Sequence, residues 1–184
     1  MKIGIVTKVF EHRIFPGETY EFIANDCKRL TIIGTKGDKK SKVILSGKFG
    51  EVNFVGCNSE LWTDNYSCQR LNILNSSVGV ISGNFSNVSE MNLEESKFVF
   101  HLPLNKEHEK LVIDHVLKLT RSNFVLNDSD LKARTLILND ESRLFCEATI
   151  NQIKLSLYEL YEDETSYVVF PSIPCRLSVD GVTL

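Results

Sequence analysis

The segments Glu51-Val52-Asn53-Phe54 and Arg70-Leu71-Asn72-Ile73 show most clearly the pattern on which a fold prediction rests, because polar and apolar residues alternate in both. A period of two places successive side chains on opposite faces of a β-strand, so each segment offers one face to a core and the other to water. Similar runs surround them, at 20–23, 29–32, 42–45, 78–81 and 97–100. The pattern predicts that residues 1–100 form a series of short strands.

Turn-forming residues separate these runs. Pro16-Gly17 precedes the run at 20–23, Asn25-Asp26 follows it, and glycine-containing stretches lie at 34–38 and 46–50. Gly permits positive φ, and Asn and Asp side chains close local turns. Short strands spaced about 8–12 residues apart with such turns are typical of antiparallel sandwiches and jelly-roll-like barrels. We therefore expect residues 1–100 to form an antiparallel β-sandwich or jelly-roll-like module.

A helical pattern follows, over residues 105–120. Asn105 is a suitable N-cap, and Leu111, Val112, Val116 and Leu119 recur at helical spacing. The strand pattern then resumes and continues to the end of the sequence. The sequence thus predicts a mostly β protein with two parts, a sandwich module at 1–100 and a helix followed by a second antiparallel β module at 101–184. Whether the two parts share one core is left open.

Composition argues against several classes of function. The chain has 184 residues with 21 basic and 24 acidic side chains, a net charge of −3, and no clustered basic face for nucleic acid. No apolar run approaches the ~18 residues that would span a bilayer, and the N-terminal residues do not resemble a signal peptide. The five cysteines are odd in number and irregularly spaced, which favours reduced core thiols over disulfides or a zinc site.

No residue cluster predicts catalysis or cofactor binding. His108 and His115 are seven residues apart, about 10 Å along a helix, which is too far for one metal ion. The sequence has no Gly-x-Ser-x-Gly elbow and no Walker lysine pattern, and Glu94-Glu95 is predicted to lie in an exposed turn. We therefore predict no catalytic residue, no metal ligand and no cofactor.

Two charged tips and one aromatic segment are candidates for protein contacts. Lys39 and Lys40 lie in a basic run, and Glu162 and Asp163 lie in an acidic one, so the two tips could pair between copies of the chain. Trp62 and Tyr66 are aromatic residues flanked by polar turn residues, a setting that can anchor an interface.

The order of elements in residues 16–85 resembles the small β-sandwich modules of tailed-bacteriophage virion proteins. The resemblance rests on strands at 16–22, 28–34 and 43–45, then 71–76 and 78–85. It implies a structural role without catalytic residues, as a head decoration, collar or tail component assembled in the host cytoplasm. Its partners would be other virion proteins and copies of itself, with no nucleic acid and no membrane.

Two other functions are compatible with the sequence. A cupin-like or other β-barrel protein would bind a small molecule inside its barrel. A phage-encoded inhibitor or other host-interaction protein would act, like a virion component, through its surface.

Overall fold

The computed structural model describes residues 2–82, 85, 88–101, 110–147, 153–170, 176–179 and 182–183. All regular elements in these ranges are β-strands. In chain order they are β1 Lys2–Ile14, β2 Thr19–Gly34, β3 Ser41–Val55, β4 Asn58–Leu74, β5 Ser77–Ser82, β6 Val88–Glu94, β7 Lys97–His101, β8 Lys110–Thr120, β9 Asn123–Asn127, β10 Asp130–Asn139, β11 Arg143–Glu147, β12 Lys154–Glu162, β13 Tyr167–Val169, β14 Arg176–Val179 and β15 Val182–Thr183.

The strands stack in parallel as the coils of a β-solenoid. The first half of β4 pairs with β5 and its second half with β6, so one long strand divides into two rows. One row continues through β7, β9, β11 and β13, and the other through β8, β10, β12 and β14. We call these rows the first arm and the second arm. Each of β1 to β4 forms one coil by itself, and each later coil consists of one strand from each arm.

The chain bends between the two arms at residues with left-handed backbone. Asp26, Asn65 and Asp128 have φ values of 63°, 46° and 50°, and Gly47 has a φ of 98°. Asn, Asp and Gly tolerate this conformation better than other residues. Gly47 is also required by space, because a Cβ there would lie 2.1 Å from the carbonyl oxygen of Ala24 in the preceding coil. Lys8, with a φ of 58°, is the exception in residue type.

Columns of inward side chains run along the solenoid and fill it. One column on the second arm is set by the strand register and consists of Phe10, Leu30, Val52, Leu71, Met91, Leu117, Leu136 and Leu160. All of its members from Leu30 to Leu136 are fully buried. The buried apolar residues form a single cluster that extends from Val6 to Leu157. Both arms, and both halves of the sequence, contribute to this core.

Aromatic rings form a second stabilising stack inside the solenoid. Ring centroids of Phe49 and Tyr66 are 5.8 Å apart, and those of Tyr66 and Phe85 are 5.9 Å apart. Phe85 contacts Phe98 at 5.7 Å, and Phe98 contacts Phe124 at 5.0 Å. Offset aromatic pairs at these distances add about 0.5–1.5 kcal/mol each beyond their buried area. The stack therefore ties successive coils together through side chains as well as through backbone hydrogen bonds.

A ladder of buried serines fixes the corner where each second arm leads into the next coil. We call the set Ser76, Ser96, Ser122, Ser142 and Ser166 the serine ladder. The backbone N–H of each of the first four donates to the hydroxyl of the next, at 3.0–3.2 Å. Cys57 N–H donates to Ser76 Oγ in the same way, at 2.8 Å. The backbone N–H groups at the corners thus donate to serine hydroxyls of the following coil. These hydrogen bonds hold the coils in register.

The sandwich prediction is wrong, because the strands are parallel. Among the described strands only β14 and β15 pair in an antiparallel way. Alternation identifies a strand with one buried face, but it carries no information on the direction of its neighbour. The turns were interpreted as hairpins, whereas they are corners that lead the chain into the next coil. The parallel register also means that no jelly-roll module exists at 1–100.

The helix prediction at 105–120 is also wrong. Residues 110–120 form strand β8, which pairs with β6 and with β10. The buried side chains of β8 are Leu111, Ile113, Leu117 and Leu119. A register irregularity between Ile113 and Val116 makes the buried residues Ile113 and Leu117 four positions apart, which resembles a helical spacing. Asn105, Glu107 and His108 lie outside the described residues.

Removing one hydroxyl from the serine ladder tests its contribution to stability. We expect Ser122→Ala to lower the free energy of unfolding by about 1–3 kcal/mol, because Ser96 N–H loses its acceptor inside the protein. Ser77→Ala, at a half-buried outward position, is the matched control and is expected to change it by less than ~0.5 kcal/mol. Urea denaturation measures both. Equal effects of the two substitutions would contradict the ladder's role.

Candidate interaction surfaces

Charged side chains on the outer face of the second arm pair along the solenoid axis. Arg29, Glu51, Arg70 and Glu90 occupy equivalent positions in four consecutive coils. Arg29 Nε lies 3.7 Å from Glu51, and Arg70 Nε lies 2.9 Å from Glu90. The hydrogen bond to Glu90 is the main cause that raises the pKa of Arg70. These exposed pairs contribute little to stability, but each places a positive charge beside a negative one.

A row of amides runs beside the charged row. Asn72 Nδ2 donates to Asn53 Oδ1 at 2.7 Å, and Asn92 Nδ2 donates to Asn72 Oδ1 at 3.0 Å. Asn53 Nδ2 donates in turn to Thr31 Oγ1 at 3.4 Å. We call these four residues the amide ladder. Together, the two rows give the middle coils an outer face whose polar groups are directed at one another.

The predicted basic tip is the loop between β2 and β3. Lys39 and Lys40 are exposed in it. A Cβ at Gly37 would lie 2.4 Å from Pro16, so the loop packs closely on the corner that follows β1. Asn58 Nδ2 also donates to the Asp38 carbonyl at 3.4 Å. The loop is thus held near its middle, at Gly37 and Asp38, and the exposed Lys39 and Lys40 follow directly after these contacts.

Trp62 and Tyr66 lie on the same strand but in different surroundings. Trp62 is a half-buried outward residue of the first arm, and Lys42 Nζ lies 3.6 Å from the centre of its ring. Tyr66 follows the bend at Asn65 and is only 1% exposed, in the aromatic stack of the core. Burial, the main cause, raises the pKa of Tyr66 well above its usual range. Of the two aromatic candidates, the structure places only Trp62 at the surface.

The predicted acidic tip is the corner that follows β12. Glu162 is exposed, whereas Asp163 accepts hydrogen bonds from the backbone N–H of Asp140 and of Thr165. The bond from Asp140 is the main cause that lowers the pKa of Asp163 to about 2. Asp163 therefore remains ionised at neutral pH and holds two successive corners together. Glu162 and Glu164 are the acidic groups that this corner offers to a partner.

The two charged tips lie at opposite ends of one edge of the solenoid. The basic loop follows the second coil and the acidic corner follows the eighth, and both connect a second arm to the next first arm. Coils that are hydrogen-bonded strands repeat about every 4.8 Å, so six coils separate the tips by about 29 Å. The tips cannot meet within one chain.

An open groove of about 630 Å³ lies beside the serine ladder. Its charged residues are Arg121, Asp140, Glu141 and Arg143. The Arg121 guanidinium lies 2.9 Å from Glu95 and 3.7 Å from Asp140. Arg143 lies over the ring of Tyr167 at 5.2 Å. The groove therefore has no excess of one charge with which to hold an ionic ligand.

The described residues contain no group of three or more His, Cys, Asp or Glu side chains that could hold a metal ion. His101 and His115 are exposed on different arms, and Asn127 Nδ2 lies 2.8 Å from His101 Nδ1. Although part of the His101 ring is exposed, desolvation of the ring by neighbouring atoms lowers its pKa, and the charge of Lys40 lowers it further. His108 lies outside the described residues, so the proposed spacing of His108 and His115 cannot be compared with the structure.

The sequence prediction missed the two ladders and the corner motif that accompanies them. An apolar residue follows each corner serine by two positions, and at three of the five corners a leucine or isoleucine also precedes the serine by three, as in Leu93-x-x-Ser96-x-Phe98 and Leu119-x-x-Ser122-x-Phe124. Ile73-x-x-Ser76-x-Val78 repeats the pattern. Aligning the chain on this motif, rather than on a fixed period, would have revealed the coils.

No protein-family model, no curated protein sequence and no solved structure matches this chain. Within the described part of the chain, no helix has the length and apolar character needed to cross a membrane. The surfaces are therefore interpreted from their own chemistry.

The amide ladder can be tested at its central member. We expect Asn72→Ala to lower the free energy of unfolding by about 1–2 kcal/mol, because Asn53 loses a donor and Asn92 loses an acceptor. Gln69→Ala, exposed on the same strand, is the control and is expected to stay within ~0.5 kcal/mol. Chemical denaturation gives both values, and a neutral Asn72→Ala would show that water replaces the ladder at no cost.

Thiol reactivity tests the closed interior. Cys27, Cys57, Cys68 and Cys146 are buried, and burial is the main cause that raises the pKa of both Cys57 and Cys68 to about 11. Thiolate is the reactive form, so it appears only as the pH rises towards 11. We expect both thiols to resist iodoacetamide at pH 8 in the folded chain and to react after unfolding, as followed by peptide mass spectrometry. Equal labelling rates in the two states would contradict the buried assignment.

Proposed function

We propose that this chain is a structural component of a multi-copy assembly and that it works through its surfaces. The observation that carries the proposal is the use of its outward polar groups. In the middle coils they pair with one another along the axis, as in the Arg70–Glu90 bridge and the Asn72–Asn53 bond, rather than converging on a site. Such pairing favours rigidity, which suits a spacer or scaffold.

The positions of the perturbed pKa values support the same proposal. Active sites place groups with shifted pKa values in a cleft, where they can exchange protons with a substrate. Here the raised pKa values of Cys57, Cys68 and Tyr66 belong to side chains of the packed core. The lowered pKa of Asp163 comes from hydrogen bonds that connect two corners. These shifts reflect packing and corner formation.

Ligand binding inside a barrel receives no support. A barrel that holds a small molecule needs an open interior. In this solenoid the columns that include Leu71, Leu117 and Phe98 fill the space between the arms, and all three side chains are fully buried. A small molecule would have to displace the core.

We retain the bacteriophage virion as the specific form of the proposal because it is a multi-copy assembly, although the sandwich fold that the resemblance of residues 16–85 implied is not the fold of this chain. A host-interaction protein is the alternative, because it would use the same kind of rigid surface with a different partner. The two functions differ in stoichiometry. A virion component is present in repeated copies per particle, whereas an inhibitor binds its target in a small complex.

Fractionation of infected cells distinguishes these functions. The chain is quantified by mass spectrometry in gradient-purified particles and in the particle-free lysate, with an unrelated cytoplasmic protein of similar size as the control. We expect the chain to sediment with particles in multiple copies and the control to stay behind. Recovery of the chain only in a stoichiometric complex with one host protein would contradict the structural role and favour the alternative.

A further inference from the structure

The large apolar side chains that are exposed in the described part of the chain lie at the two ends of the solenoid. Among the described side chains, those at the N-terminal end belong to the first two coils or the corner between them, and those at the C-terminal end belong to the last two coils. They are Ile5, Val9, Phe15 and Ile23 at the first end, and Tyr158, Tyr161, Tyr167 and Phe170 at the second. The described residues of the middle coils include none, so the ends differ in chemistry from the described body between them.

The N-terminal end presents an open strand edge. β1 pairs with β2 along both arms, and its other edge has no partner among the described strands. Ile5 is 74% exposed on the first arm and Val9 is 64% exposed on the second. A Cβ at Gly4 would have nothing within 4 Å, so there is also open space against this edge. Unpaired backbone groups beside exposed apolar residues form a template for a further strand.

The C-terminal end also has unpaired backbone. β12 pairs with β14 only as far as Leu157, so its continuation from Tyr158 to Glu162 lacks a neighbour on that side among the described residues. On the first arm, β13 pairs with β11 and with no other described strand, whereas on the second arm the short β15 pairs with β14. Tyr161 and Phe170 are 55% and 40% exposed at this end. Tyrosine is enriched at protein interfaces because it combines a large apolar ring with a polar tip.

The two ends carry opposite charge. Residues 1–40 contain eight basic and five acidic residues, a net charge of +3. Residues 141–184 contain three basic and seven acidic residues, a net charge of −4. Opposite charge brings unlike ends together and keeps like ends apart.

We propose that copies of this chain stack head to tail, with the C-terminal end of one solenoid against the β1 edge of the next. The inference rests on the proposed structural function and names the partner as a second copy. Such a contact is heterologous, and along a solenoid axis it does not close, so it produces linear oligomers. It covers the exposed apolar residues of both ends in a single interface.

Lys8 explains why unlike ends are favoured. It lies at the bend in the middle of the β1 edge, where the corresponding bends of later coils have Asp26, Gly47 and Asn65. A two-fold contact between two β1 edges aligned at their bends would set Lys8 against Lys8, and like charges on adjacent strands repel. An edge lysine is a device against indiscriminate strand pairing. When the acidic C-terminal end of another copy lies against the β1 edge instead, the repulsion between the two lysines is absent.

Four chains test the inference by sedimentation velocity. The N-end variant is Ile5→Asp with Val9→Asp, and the C-end variant is Tyr161→Asp with Phe170→Asp. The control, Gln69→Asp with Asn123→Asp, adds the same charge at exposed positions of the middle coils. Circular dichroism and thermal unfolding establish that each variant folds. All six positions of change lie among the described residues of the intact chain, so no truncation is needed.

We expect the wild type and the control to form a concentration-dependent series of oligomers that weakens as salt rises. Each end variant alone should lose association by more than ~10-fold. An equimolar mixture of the two end variants should restore a single contact and stop at the dimer, because one intact end of each kind remains. Dimers of the C-end variant alone would show a contact between two N-terminal ends and would overturn the head-to-tail inference.

A wild type that remains monomeric at ~100 μM would also overturn it, since the dissociation constant would then lie above that value. This outcome is distinguishable from failure of the proposed function. A chain that sediments with particles, and whose end variants are incorporated as well as the wild type, retains the structural function and excludes stacking. A chain that is absent from particles but still stacks in solution excludes the structural function and retains the stacking.

Discussion

Backbone hydrogen bonds between successive parallel coils set the register from which the other features of this protein follow. In-register stacking aligns each inward side chain with its equivalent in the next coil, so the core consists of columns such as Leu71, Met91 and Leu117. The serine ladder fixes the same register at the corners, where backbone amides would otherwise lack partners. Outward side chains are aligned in the same way. An acidic side chain therefore lies beside a basic one, and an amide beside an amide, on the second arm.

The sequence predicted the strands better than their arrangement. The alternation at Glu51–Phe54 and Arg70–Ile73 correctly identified strand segments with one buried face, and the turn residues Asp26 and Asn65 lie where the chain does bend. Direction was not predictable, because alternation is the same in parallel and antiparallel sheets. The repeat was hidden by unequal coil lengths, since equivalent positions are 19 residues apart from Val52 to Leu71 but 26 apart from Met91 to Leu117.

For the candidate surface residues, too, the sequence predicted one property, their charge or aromatic character, but not their arrangement. Charge alone identified Lys39, Lys40 and Glu162 as exposed, but it could not reveal that the two tips lie at opposite ends of one edge. Tyr66 was chosen for its polar neighbours, whereas the bend at Asn65 turns its ring into the core. Asp163 was chosen for its charge, whereas its carboxylate is occupied by backbone N–H groups. The sequence identifies the charged and aromatic side chains, and the coil register determines which of these side chains remain accessible to a partner.

The surface groups that are accessible to a partner therefore lie mainly at the ends of the solenoid, where one edge of β1 has no partner among the described strands and Tyr161 and Phe170 are exposed. That account depends on parallel stacking, which methyl–methyl nuclear Overhauser contacts measure directly. Parallel stacking predicts contacts between Leu93 and Leu119 and between Leu119 and Leu138, because these residues are register partners in adjacent coils. Absence of both contacts in a well-folded sample would contradict the solenoid and everything inferred from it.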